Sequence, residues 1–170
     1  MAPSAIEVFL SVDEWRAWHK GEPGVNPAFL HQQSSLLDAE VAALTLNIFH
    51  RHTDRVKMAN NSETVNPIQA LILTDHDKML LTPTYRVLDM YQPFQGTRPC
   101  SARVSTPPYS FDGHSLPAVD ASAALGTDGE IWSAMINLDP SHSAEVVTKP
   151  ERRCIRAAAY RSHTGHAQYL

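Results

Sequence analysis

The chain has 170 residues, 43% of them apolar, and a formal net charge of -4 at pH 7. That length supports one sizeable core or two small domains. The acidic balance, with no basic stripe interleaved with aromatics, excludes a nucleic-acid surface, and no segment approaches the ~20 apolar residues needed to cross a bilayer.

Residues 1–10 have no basic start, and Glu7 interrupts their short apolar stretch, so they do not read as a secretion signal. The two cysteines, Cys100 and Cys154, are far apart and read as reduced thiols, so a cytoplasmic location is expected. Residues 6–12 read as a strand. Ile6, Val8, Leu10 and Val12 share one parity and Phe9 makes the other face apolar, the two-sided burial expected of a parallel strand. Glu14 has the parity of the aliphatic set. If that set fills a barrel interior, Glu14 points inward at the strand's C-terminal end, where barrels keep their chemistry.

"KGEPGVNPAF" is a loop, and a helix is expected over residues 29–50. Leu30, Leu37, Val41, Leu44 and Ile48 recur at helical spacing and make its expected buried face. "HRHTDRVKMANN" leaves the helix, and residues 64–74 carry a second β-rich apolar run with Pro67 at its start or at a bend. "DHDK" is a turn. A short helix follows, with Thr82 as N-cap, Pro83 in the first helical position, and Tyr85, Leu88 and Tyr91 as its buried stripe. Strand, helix, strand, helix implies parallel pairing.

Past Gly96, Pro and Ser become frequent and short strand signals replace helices. "TDGE" is a turn before "IWSAMINLD", whose apolar positions are Ile131, Met135 and Leu138. This is the composition of a small antiparallel β-domain. The charge then switches: five of the fourteen Lys and Arg fall in residues 149–170 beside one acid, Glu151.

The segments "VDEWRAWH", "EPGVNPAFLHQQ", "LNIFHRHTDRVKMAN", "TVNPIQALILTD", "KMLLTPTYRVLDMY" and "SLPAV…NLDP" occur in one order. Together they resemble the C-terminal part of the α-L-arabinofuranosidases of glycoside hydrolase family 51, over residues 6–148. The resemblance implies an α/β plus β fold: the last two βα units of a (β/α)8 barrel in residues 1–96, then a partial β-sandwich in residues 97–170. Residues 149–170 depart from the family's ending and read as a truncated or frame-shifted gene end.

The resemblance assigns Glu14, of the Asp-Glu-Trp motif, the role of catalytic nucleophile in a retaining reaction. Such a reaction needs one carboxylate to attack the anomeric carbon and a second, about 5–5.5 Å away, to protonate the leaving oxygen. Asp13 would shape the hydrogen bonding around Glu14, and Trp18 would line the pocket. Glu63 stands where the family has a sugar-contacting glutamine. Ionised, it accepts from a hydroxyl but cannot donate. The family's acid/base is an Asn-Glu pair, and no Asn-Glu dipeptide occurs in the 170 residues, so the chain alone is expected to be inactive. The implied partners are arabinofuranosyl-containing oligosaccharides, and no cofactor is implied.

Two other readings compete. Among the nine histidines, His50, His52 and His76 could converge on a metal, but they lack the tight ligand spacing of zinc sites, so no metal site is expected. Alternatively the β-domain is a non-catalytic sugar-binding module, with Tyr109, Phe111 and Trp132 as stacking aromatics, or it pairs chains into a homo-oligomer.

Overall fold

A computed structural model describes residues 8–21, 23–61 and 63–149. Ile6 and Glu7, Cys154 and nearly all of the basic tail lie outside the described residues.

The first strand, β1, is Leu10–Trp15, so it runs on through Asp13 and Glu14 rather than stopping at Val12. It pairs in parallel with β2, Val56–Asn61, from Leu10 opposite Val56 to Trp15 opposite Asn61. Parallel pairing is as expected, but β2 comes from the stretch read as leaving the helix. The expected run over residues 64–74 yields only β3, Ile72–Asp75, which turns back antiparallel on β4, Lys78–Leu81. The "DHDK" turn joins them, with His76 at φ 53°. Burial on both faces of the first strand is not found: Val8, Phe9 and Leu10 are exposed.

Helix α1 is Leu36–Arg51, shorter than expected. A single 3-10 turn, Pro27–Phe29, precedes it and ends on Leu30 at φ 51°, a left-handed conformation that cannot propagate a helix. The chain restarts at Ser35, where a capping box forms: Asp38 Oδ2 accepts from the Ser35 N–H at 2.7 Å. The buried face is also different. Ala39, Ala42 and Ala43 face the core, whereas Leu37 and Ile48 of the expected leucine-rich face are exposed, at 51% and 46%. Small side chains let a second helix approach closely. That helix, α2, is Pro83–Tyr91, with Thr82 and Pro83 in the expected capping positions. Thr82 Oγ1 accepts from the Tyr85 N–H at 3.3 Å. Its buried residues are Thr84, Val87 and Tyr91; of the expected stripe only Tyr91 is buried.

The rest is antiparallel, as its composition implies. β5 (Arg98–Cys100), β8 (Val119–Leu125) and β9 (Ile131–Asn137) form a sheet of order β5-β8-β9. β6 (Pro108–Phe111) and β7 (His114–Pro117) form a separate hairpin. The β9 side chains that reach the helices are Ala134 and Ile136; Met135, on the other parity, is exposed. One core therefore joins the two halves: Ala39, Ala42, Ala43, Val87 and Tyr91, flanked by Trp15, Leu46, Met90, Phe94, Ala134 and Ile136.

Candidate active site

Parallel strands bring equivalent ends together. Because Trp15 faces Asn61 across the pair, Glu14 and Glu63 stand at the same, C-terminal, end of β1 and β2. Trp18 follows β1 at that end. All three side chains are exposed, Trp18 at 65%. Glu14 therefore meets water rather than a closed cavity. Trp18 is not packed against the described residues. Trp15 takes the packing role instead, edge-on to Phe49 with ring centroids 5.5 Å apart. Asp13 accepts from the Ser11 hydroxyl at 2.9 Å, so its recorded partner is a strand neighbour.

The segment after Glu14 is fixed by side chains from distant parts of the chain. Arg16 donates to the Ile68 carbonyl at 2.9 Å, and the Ala17 N–H donates to Gln69 Oε1 at 2.7 Å. The His19 N–H donates to Gln32 Oε1 at 3.1 Å, and His19 Nε2 lies 3.2 Å from Asp38 Oδ1. Sequence reasoning missed Gln32, Asp38 and Gln69. The Ser35-x-x-Asp38 spacing was a readable cap signal; nothing local marks Gln69.

A groove of about 670 Å³ lies elsewhere. Arg51, His52, Thr53, Asp54, Lys57 and Pro99 line it, at the opposite end of β2 from Asn61. The metal-reading histidines do not gather: His50 Nδ1 meets Ser122 Oγ at 3.0 Å, and His76 Nδ1 meets Asp75 at 2.8 Å. Tyr109 and Phe111 lie in β6 and Trp132 in β9, in different sheets; Phe111 is exposed. Among the described residues no helix is long and apolar enough to cross a membrane.

The sequence matches the family described as "Alpha-L-arabinofuranosidase C-terminal domain" over residues 13–164, and the chain belongs to that family. The match runs past residue 148, where the sequence reading ended the resemblance. A curated relative, the intracellular exo-alpha-L-arabinofuranosidase of Bacteroides ovatus, is 39% identical over 141 residues, covering 82% of this chain and 27% of that protein. The crystal structure of the GH51 arabinofuranosidase from Xanthomonas axonopodis pv. citri superposes with a TM-score of 0.75 at 48% identity, covering 79% of this chain and 27% of that one. The α-L-arabinofuranosidase of Thermotoga maritima shares the fold at a TM-score of 0.59 and 22% identity, over 76% of this chain and 28% of that one. The chain spans just over a quarter of the length of these relatives.

Proposed function

We propose that this chain carries the nucleophile side of a retaining α-L-arabinofuranosidase site, built on the last two βα units of a (β/α)8 barrel. In this reading residues 1–96 are the barrel part and residues 97–170 the β-sandwich. The observation that carries it is the shared position of Glu14, Trp18 and Glu63 at one end of the parallel β1–β2 pair. Glu14 attacks the anomeric carbon of a terminal arabinofuranosyl residue, forming a glycosyl ester that water later hydrolyses, while a second carboxylate protonates the departing oxygen. Trp18 offers an apolar face to the sugar ring, and Glu63 accepts from a sugar hydroxyl. The substrates are arabinofuranosyl-containing oligosaccharides. A cytoplasmic location is supported by the printed name of the Bacteroides relative.

Alone, the chain does not turn substrate over. General acid help is worth about 10²–10⁴-fold, and the residue the family resemblance assigns to that role has no counterpart here. The test is release of p-nitrophenol from its α-L-arabinofuranoside by the purified chain, beside Glu14→Ala. The expected result is no Glu14-dependent turnover. Turnover that Glu14→Ala abolishes would mean that another of the 170 residues supplies the acid.

The exposed Trp18 also favours a second reading, in which the chain binds sugar without cleaving it. Binding of arabinan that Trp18→Ala removes, with Glu14→Ala unaffected, would favour that module.

A further inference from the structure

Residues 16–19 are held with unusual completeness for a segment that leaves a strand. Besides the bonds from Arg16, the Ala17 N–H and His19, the Ala17 carbonyl accepts from Gln32 Nε2 at 3.2 Å. Trp18, between them, makes none of these bonds and points its side chain to solvent. The holders are themselves held. Gln69 Nε2 donates to the Asp38 carbonyl at 2.8 Å, and the Gln69 carbonyl accepts from Asn61 Nδ2 at 3.4 Å. Gln32 Nε2 also lies 3.2 Å from Asp38 Oδ1. Asp38 and Gln69 are buried, at 0% and 1% exposure. Gln69 has φ 54°, a left-handed conformation that a non-glycine residue keeps only where its surroundings over-determine it. Here its amide bridges two elements, with the acceptor oxygen on Ala17 and the donor nitrogen on the first turn of α1.

We infer that Gln69, backed by Gln32 and Asp38, is a positioning residue that fixes residues 16–19 and so sets how Trp18 and Glu14 face a sugar. The sugar-facing part of this inference rests on the proposed function; the scaffold stands on the contacts alone. An indole that need not be ordered when a ligand arrives costs less entropy on binding.

Two variants in the ¹⁵N-labelled chain separate the roles of the amide. Gln69→Glu keeps an acceptor for the Ala17 N–H and loses the donor to Asp38. Gln69→Met keeps similar bulk and loses both. In Gln69→Met the Ala17 amide should exchange with solvent about tenfold faster, the loss of one ordinary hydrogen bond, while Ala42 and Ala43 in α1 stay within about threefold of wild type. Gln69→Glu should retain Ala17 protection. The Trp18 indole resonance, titrated with α-1,5-arabinotriose, should respond in wild type and about fivefold more weakly in Gln69→Met. Unchanged Ala17 exchange in Gln69→Met overturns the inference. A wild-type Trp18 resonance silent to the sugar refutes the proposed sugar site, and Ala17 exchange still decides whether Gln69 holds the segment. If Gln69→Met unfolds the chain, Gln32→Met takes its place: the His19 amide must then lose protection and Ala17 keep it, and the reverse overturns the scaffold.

Discussion

Asn47 is wholly buried in α1, and its amide ties that helix to both α2 and β8. Its Oδ1 accepts the Tyr91 hydroxyl at 2.8 Å and the Ser122 hydroxyl at 2.7 Å, and its Nδ2 donates to Asp120 Oδ2 at 2.9 Å. Ser122 has one proton, given to Asn47, so its oxygen is the acceptor for His50, and donor counting puts the His50 proton on Nδ1. Asn47→Leu keeps the approximate volume and removes all three bonds. The Ser122 hydroxyl then either loses its acceptor or turns to His50 Nδ1, forcing that ring into its other tautomer, at a cost of about 1–3 kcal/mol. Tyr91 retains the Ala43 carbonyl at 3.2 Å, and Asp120 retains Arg51 at 3.0 Å, so each of those losses is partial, roughly 0.5 kcal/mol. The expected destabilisation is therefore about 2–4 kcal/mol. Ser122→Ala alone should cost about 1 kcal/mol, since Asn47 keeps Tyr91 and only His50 loses a partner. The double variant should cost less than the sum by about 1 kcal/mol, because the orphaned hydroxyl is gone. Urea unfolding followed by far-UV circular dichroism measures all three. An Asn47→Leu chain within about 0.5 kcal/mol of wild type, or strict additivity, would refute the network as the joint between helices and sheet.

The same network has a pH dependence. Burial, and then the neighbouring Arg51, push the His50 pKa below its ordinary 6.5. Tyr91, Phe94 and Ser122 face its ring, with Asp120 beyond. The unfolded chain thus takes up this proton first as pH falls, and stability declines below pH 6.5 until His50 protonates in the fold as well. His50→Gln should flatten the stability–pH slope in that window and leave it unchanged above. The wild-type-minus-variant difference cancels Glu40, whose pKa burial raises and which therefore acts with the opposite sign. Thr82→Ala should cost about 1–2 kcal/mol by thermal denaturation, because Thr82 Oγ1 both caps α2 and donates to the Ala70 carbonyl at 2.8 Å.

Signals that act over three or four residues were legible. Thr82-Pro83 starts α2, "DHDK" turns β3 into β4, and "TDGE" joins β8 to β9, with the Gly126 N–H donating to the Glu130 carbonyl at 2.8 Å. Each is fixed by its own backbone preference. Choices that depend on a neighbour were not legible. Helical spacing offered α1 two faces, one of leucines and one of alanines. Hydrophobicity favours the leucines, but α2 and β8 need close approach, and the alanine face allows it. Likewise "VKMANN" is too polar to read as a parallel strand. It becomes one because the β1 backbone lies beside it, and half of its residues remain exposed.

The site divides along the same line. Strand parity drew attention to Glu14, but its role and that of Trp18 rest on the ordered motifs that resemble the family. What gives the site a shape is not local: the bonds to residues 16–19 come from Gln32, Asp38, Ile68 and Gln69, up to 52 positions away. None of those residues is unusual in the sequence, and glutamines beside a loop read as solvated. The burial of Asp38, Ile68 and Gln69 follows from the fold, since β1 and β2 leave the same end of one sheet and α1 begins beside it. Buried amides must then find partners or cost stability, and the unpaired backbone of residues 16–19 supplies them. The holding of Trp18 is thus a consequence of satisfying the interior. That is why the chain on either side of Trp18 can be held while its side chain stays exposed.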